Sequence, residues 1–263
     1  MDLQLNQKIA LVSGSTAGIG NAIAAALARE GASVIINGRT EAAVEGAMAA
    51  MRSGTGGEVR GFAGDLSSAS VAEKLFQAHP HVDILVNNLG IFEVKAFEDI
   101  ADEEWRRFFD VNVVSGARLS RLYLPSMRKR NWGRIIFISS ESGYQIPAEM
   151  IHYGMTKAAQ IAVARGLAEA TAGTGITVNS VLPGPTRSRG VGDFVAGWAA
   201  KTGKSAQTVE SEFFKNARPT SLLKRFATPE EVAAMVAFVA SPLSAATNGA
   251  ALRVDGGVVK SAF

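Results

Sequence analysis

Short runs that are apolar at consecutive positions, each followed by a longer helical stretch, recur from one end of this chain to the other. Residues 8–12, 33–36, 59–62, 84–87, 134–138, 176–181 and 251–254 have this form, each bounded by Gly, Pro, Asn or Asp. A half-exposed strand alternates apolar and polar side chains. A strand apolar on both faces has to be covered on both, as in a parallel sheet with helices above and below. The first stretch between runs, residues 21–30, is alanine-rich and stops at Gly31. The repeated strand–helix order predicts a doubly wound, Rossmann-type α/β fold, with a parallel sheet flanked by helices on both faces in three layers. A length of 263 residues with 47% apolar content suits a single domain over 1–263. The order is interrupted at about 187–226, where two helical segments are set between Gly- and Pro-containing turns. An insertion late in such a domain is the expected place for a substrate lid.

Composition removes several classes of function. The chain has no cysteine, which excludes disulfides, thiolate nucleophiles and cysteine-ligated metals. Its formal charge is only +3, and the basic residues gather nowhere beyond Arg128-Lys129-Arg130, so no nucleic-acid footprint is expected. The longest apolar run, 232–240, is too short to cross a bilayer. Residues 1–6 lack the basic-then-apolar order of a signal peptide, and the cytoplasm is the expected compartment. His79, His81 and His152 do not have metal-ligand spacing, so no metal site is expected. His152 is read as a surface histidine in preference to a substrate contact.

Gly14-Ser15-Thr16-Ala17-Gly18-Ile19-Gly20 follows the first run and opens the first helix. Glycines there let the backbone approach a pyrophosphate, and a helix N-terminus supplies N–H donors and positive potential. The second run ends in Asn37-Gly38-Arg39-Thr40. A carboxylate at this place accepts from a free ribose 2′-hydroxyl, whereas an arginine accommodates a 2′-phosphate. Arg39 without a neighbouring acid therefore favours NADP(H), with NAD(H) possible. Further on, Tyr153 and Lys157 stand four residues apart at the start of an Ala-rich helix, which puts phenol and ammonium on one helix face. A nearby ammonium stabilises phenolate and lowers the pKa of the phenol.

The GxxxGxG turn, Asn87-Asn88-Leu89-Gly90, Ser140 thirteen residues before Tyr153, the Tyr153/Lys157 pair, Pro183-Gly184 and the closing Val254-Asp255-Gly256-Gly257 stand in one order along the chain. That order resembles the single-domain branch of the short-chain dehydrogenase/reductases over essentially the whole length. The resemblance implies Tyr153 as general acid/base, Lys157 as the residue that holds the nicotinamide ribose and lowers the Tyr153 pKa, and Ser140 as the hydroxyl that orients the substrate oxygen. Ser139 competes for that last role, and the thirteen-residue spacing favours Ser140. Asn112 is implied as the holder of a relay water; without the resemblance it reads as a helix–helix hydrogen bond. By the same resemblance Gly14, Ser15, Thr16, Gly18, Ile19, Gly20, Arg39, Asp65, Leu66, Asn87, Gly90, Pro183, Gly184, Thr186 and Ser188, with Tyr153 and Lys157, contact the cofactor. Leu89 stands where the family usually has alanine, and Ser13 where threonine is common.

The implied activity is reversible hydride transfer between NADP(H) and a carbonyl/secondary-alcohol pair of a small-molecule substrate, carried out by a homotetramer or homodimer. Substrate contacts are expected from Ser140, Tyr153 and Gln145, with Ile146, Pro147 and Met150 nearby. Phe194, Trp198 and Phe213 read equally as an apolar pocket or as core. One alternative is 3-oxoacyl-[acyl-carrier-protein] reduction with Arg128-Lys129-Arg130 as the docking site, although a solvated helix end explains that cluster more simply. Another is a non-catalytic nucleotide-sensing module, against which the joint presence of Tyr153, Lys157, Ser140 and Asn112 argues.

Overall fold

The computed structural model describes residues 1–52 and 57–262, the side chains of Arg52, Arg189, Asp193 and Phe194 excepted. All seven apolar runs are strands: β1 (Ile9–Val12), β2 (Ser33–Gly38), β3 (Val59–Ala63), β4 (Ile84–Asn87), β5 (Gly133–Ile138), β6 (Ile176–Pro183) and β7 (Ala251–Val254). They form one parallel sheet in the order β3-β2-β1-β4-β5-β6-β7. Successive side chains of a strand point to opposite faces, and here both faces are core. Ala10 and Val12 enter one apolar cluster while Leu11 enters the other; Val34 and Ile36 part from Ile35 in the same way. This two-sided demand is why the runs are apolar at every position.

One face is covered by α1 (Gly18–Arg29), α2 (Glu41–Arg52) and α9 (Pro229–Ala240); the other by α3 (Ala69–Ala78), α5 (Ser115–Arg130) and α6 (Ile151–Ala170). The long apolar run at 232–240 is α9, buried against α1. Its start is fixed by a capping box in which the Thr228 hydroxyl accepts from the Glu231 amide and Glu231 accepts from the Thr228 amide, with Pro229 in the first turn. Among the described residues no helix is long and apolar enough to cross a membrane.

Strand order reverses at β1, whose neighbours are β2 and β4, so the chains leaving β1 and β4 diverge and open a crevice at the carboxyl edge of the sheet. The region expected as a lid holds two helices, α7 (Arg189–Thr202) and α8 (Ala206–Asn216). They carry their own small core of Val195, Val209, Phe214 and Phe226. Phe213 is partly buried and packs onto it, 5.1 Å from the rings of both Phe214 and Phe226. Trp198 is exposed, and the Phe194 side chain lies outside the described residues.

Candidate active site

The turn between β1 and α1 is built for close approach. Gly14 and Gly18 take φ of +60° and +57°, a region costly for any residue with a Cβ. At Gly20 a Cβ would lie 2.4 Å from Asn88 Nδ2 and 2.5 Å from the Gly14 carbonyl oxygen. Helix α1 begins after Ala17, without a side-chain cap and without an acidic residue in its first turn. The first amides therefore keep their donors and positive potential for an anion. At Gly38, on the end of β2, a Cβ would sit 2.4 Å from Thr16 Cγ2, so Gly38 lets the turn fold down onto β2. Exposed Arg39 follows directly.

Residues that the motif reading passed over hold this turn. Ser13 Oγ donates to the Val86 carbonyl and accepts from the amides of Asn88 and Leu89 at 3.0 Å each. Asn88 Nδ2 donates to the carbonyls of Ser13 and Gly14. Asn37 Oδ1 accepts from the Gly14 amide while its Nδ2 donates to Phe62 and Gly64 carbonyls, tying β1, β2 and β3 together at the crevice. Ser13→Ala leaves the Leu89 amide without its acceptor, while the Asn88 amide keeps the Val86 carbonyl, and is expected to destabilise the protein by about 1–3 kcal/mol. Urea denaturation reads this as a lower midpoint at unchanged slope; an unchanged midpoint would show the clamp to be dispensable.

Across the crevice, Ser140 follows β5 and Tyr153 and Lys157 lie in the first two turns of α6. Ser140 acts on the Tyr153 phenol from close by and favours its ionised form. The Ser139 hydroxyl donates to the Lys157 carbonyl at 2.8 Å, fastening β5 to α6. Buried Lys157 Nζ donates to the Ile138 carbonyl at 2.9 Å and to Gln160 Oε1 at 3.1 Å. A Cβ on Gly90 would lie 3.5 Å from Nζ, so glycine keeps the approach to the ammonium open.

The electrostatics differ from the expected lowering of the tyrosine. Burial, then the Glu141 charge, push the Tyr153 phenol well above its ordinary value, against the opposing effects of Ser140 and Arg218. The Lys157 ammonium donates to Ile138 and Gln160 and stands over the Tyr153 ring, 5.5 Å from its centre. Burial takes the Lys157 ammonium itself down to about 7.

Asn112 lies in a π-helical turn, Asp110–Val114, that joins α4 (Asp102–Phe109) to α5. Its side chain accepts from the Ile91 amide and donates to the Ile91 carbonyl and to Thr156 Oγ1, the helix–helix bond that the bare residue suggested. Its carbonyl accepts from Gln160 Nε2, whose Oε1 in turn receives Lys157. The π turn breaks the regular ladder and releases a carbonyl at this point.

The loop after β6 closes the crevice. Gly184 packs on Asp255, where a Cβ would meet backbone at 2.5 Å, and Thr186 Oγ1 donates to the Gly184 carbonyl. A Cβ on Gly18 would lie 3.4 Å from Ser188 Cβ, which places this loop directly over the glycine turn. Phe92, from the chain after β4, meets the Tyr153 ring edge-on with centroids 6.4 Å apart.

The side chains of several expected cofactor residues are engaged within the protein, and one histidine differs from its expected place. The Asn87 side chain donates to Ser120 on α5 and is buried, so it braces the sheet. Ser15 is fully buried, its hydroxyl held between the Val12 carbonyl and the Asn37 amide. Leu66 is a core residue. Asp65 caps Ser67, accepting from its amide and hydroxyl, and remains exposed. His152 is no surface residue: it is fully buried between Trp105 and Phe108, and burial lowers its pKa, keeping the ring neutral.

A family profile described as Enoyl-(Acyl carrier protein) reductase matches residues 14–259. The chain is 49% identical over 264 residues to the uncharacterized oxidoreductase YvaG of Bacillus subtilis, covering all of both chains. It is 36% identical to a D-beta-hydroxybutyrate dehydrogenase of Cupriavidus necator, over 97% of this chain and 99% of that one. The structure superposes on L-sorbose reductase from Gluconobacter frateurii, solved with NADPH and L-sorbose, with a TM-score of 0.93. That match has 29% identity and covers 99% of this chain and 100% of the other.

This chain is a short-chain dehydrogenase/reductase.

In this short-chain dehydrogenase/reductase the motif reading overlooked a charged group beside the serine. Glu141 is buried with 4% exposure; it accepts from Ser140 Oγ and the Ser142 amide through one oxygen and from Arg218 Nε at 3.1 Å through the other. Arg218 also donates to Glu149 at 3.3 Å. Glu141 directly follows the serine in sequence, but its partner stands 77 residues away, so no local pattern announces the pair.

Proposed function

We propose that this enzyme interconverts a carbonyl and a secondary alcohol with NADP(H), Tyr153 supplying the proton in reduction. The observation that carries the reading is the convergence of Tyr153, Ser140 and Lys157 across a crevice from an uncapped helix N-terminus reached through glycines. The residues fit a dinucleotide: amides at Gly18, Ile19 and Gly20 for the pyrophosphate, with Gly14 and Thr16 beside them, Arg39 for a 2′-phosphate, Asp65 towards the adenine, and Lys157 with Gly90 towards the ribose near the nicotinamide. Pro183, Gly184, Thr186 and Ser188 cover that end. When bound, the cofactor supplies or takes the hydride at the substrate carbon. The phenol gives its proton to the substrate oxygen, Ser140 orients that oxygen, and Lys157, Gln160 and Asn112 form the internal hydrogen-bonded line behind them. Gln145, Ile146 and Phe92 are the proposed substrate neighbours. A homodimer or homotetramer is proposed as the working form and is tested by light scattering.

The test is NADPH oxidation with a panel of ketones and aldehydes graded by size and charge. Turnover of at least one compound supports the reading. NADPH binding with no turnover of any carbonyl, by wild type or Tyr153→Phe alike, would favour a nucleotide-sensing module. Arg39→Ala is expected to weaken NADPH about 10-fold or more while leaving NADH little changed, because one charge-assisted contact to phosphate is lost. Equal weakening of both nucleotides would remove Arg39 from the phosphate site.

Docking of an acyl-carrier protein on Arg128-Lys129-Arg130 is not favoured. The cluster ends α5 and leads into the start of β5, the sheet edge opposite Ser140. Arg128 and Arg130 are occupied with the Ala170 and Val82 carbonyls and with Asp83.

A further inference from the structure

The geometry points to Glu141 and Arg218 as positioning residues for the Ser140–Tyr153 pair: Arg218, carried by the chain leaving α8, holds the Glu141 carboxylate, and Glu141 fixes the Ser140 hydroxyl that meets the phenol. The inference rests on Tyr153 being the proton donor proposed above.

A buried carboxylate is costly unless paired and hydrogen-bonded, and Glu141 is both. Its place is set by the 3-10 turn Glu141–Gly143, which begins at Ser140. A serine hydroxyl has one proton. With that proton drawn to Glu141, less of it is left to stabilise a phenolate, so Tyr153, Ser140, Glu141 and Arg218 act as one connected set. Arg218 stands on the segment after α8, its guanidinium 5.9 Å from the ring of Phe213, which packs on the core of the α7–α8 unit. Seating of that unit therefore decides whether Glu141 is neutralised. If Arg218 withdraws, an uncompensated negative charge faces the phenol and holds its proton more tightly; with Arg218 in place the phenol is freer to give it up. The other charged or titratable neighbours are accounted for. Lys157 is turned to Ile138 and Gln160, His152 is turned to Trp105 and Phe108, and Glu149 on the turn before α6 shares Arg218.

The test follows alcohol oxidation with NADP⁺ against pH, since that direction speeds up as the phenol ionises. Arg218→Gln is expected to move the midpoint up by about one unit, and Glu141→Gln to move it down by a similar amount. Arg218→Lys, which keeps the charge, should return most of the shift. Slower turnover in both Gln variants with the midpoint unmoved, or shifts in the same direction, would overturn the inference. If the wild type turns over no alcohol or carbonyl, the functional reading fails separately. The coupling is then read by titrating the Tyr153 phenol by absorbance, as the difference from Tyr153→Phe in each background. Opposite displacements there support it, and superimposed curves overturn it. Melting curves confirm that each variant is folded, and the downward shift of Glu141→Gln carries the test where Arg218→Gln does not fold.

Discussion

Tyr153→Phe is expected to lower carbonyl reduction by about 10³-fold, the usual contribution of a positioned general acid, while NADPH affinity changes by less than about threefold. The substitution deletes one oxygen and keeps the ring that packs against Phe92. In the structure burial and Glu141 keep the phenol protonated far above neutral pH, so at pH 7 the group is loaded to donate. A raised pKa also fixes the direction of the pH effect: reduction holds level through neutrality, and oxidation, which needs the phenolate as acceptor, rises with pH. Stopped-flow or steady-state assays of both directions check this. A Tyr153→Phe enzyme within tenfold of wild type would remove the phenol from the chemistry and leave Ser140 as the surviving candidate donor.

Lys157→Met is the second substitution with a large expected effect. It removes two hydrogen bonds from a charged donor, to Ile138 and to Gln160, and the cation beside Gly90. Activity should fall on the order of 10²-fold or more, with weaker nucleotide binding, in contrast to Tyr153→Phe. The same residue gives a stability prediction with a definite sign. The folded-state pKa of Lys157, about 7, lies below its ordinary value of 10.5, so between these values the unfolded chain binds the proton more strongly. Stability then rises with pH across that window, and the penalty is complete below it. The wild-type melting temperature minus that of Lys157→Met should therefore increase from pH 7 to about pH 10.5. Taking the difference cancels the groups common to both proteins. A flat difference would mean that the ammonium is not desolvated as the structure has it.

The layers of this enzyme were legible in its sequence because the relevant constraints are local. A strand that feeds two cores is apolar at every step, as Ala10, Leu11 and Val12 are, and a turn with positive φ at Gly14 and Gly18 leaves glycine in the chain. The four-residue spacing of Tyr153 and Lys157 similarly depends only on helix geometry. What those patterns could not convey was the direction in which a side chain turns once the elements pack. Asn87 and Ser15 carry suitable polar groups beside the crevice, yet the sheet uses both as braces. His152, next to the phenol in sequence, rotates away by one helix position into an aromatic cage.

The sequence by itself determined the parallel sheet, the glycine turn at its crevice and the helix that bears Tyr153 and Lys157, because each is written in contacts between near neighbours or in repeated periodicity. Only the tertiary structure decided the electrostatic state of the site. The pKa of a buried group depends on which charges are brought beside it. Here the charges are Glu141 against Ser140 and Arg218 from 77 residues beyond Glu141, while the neutral Gln160 amide links Lys157 to Asn112.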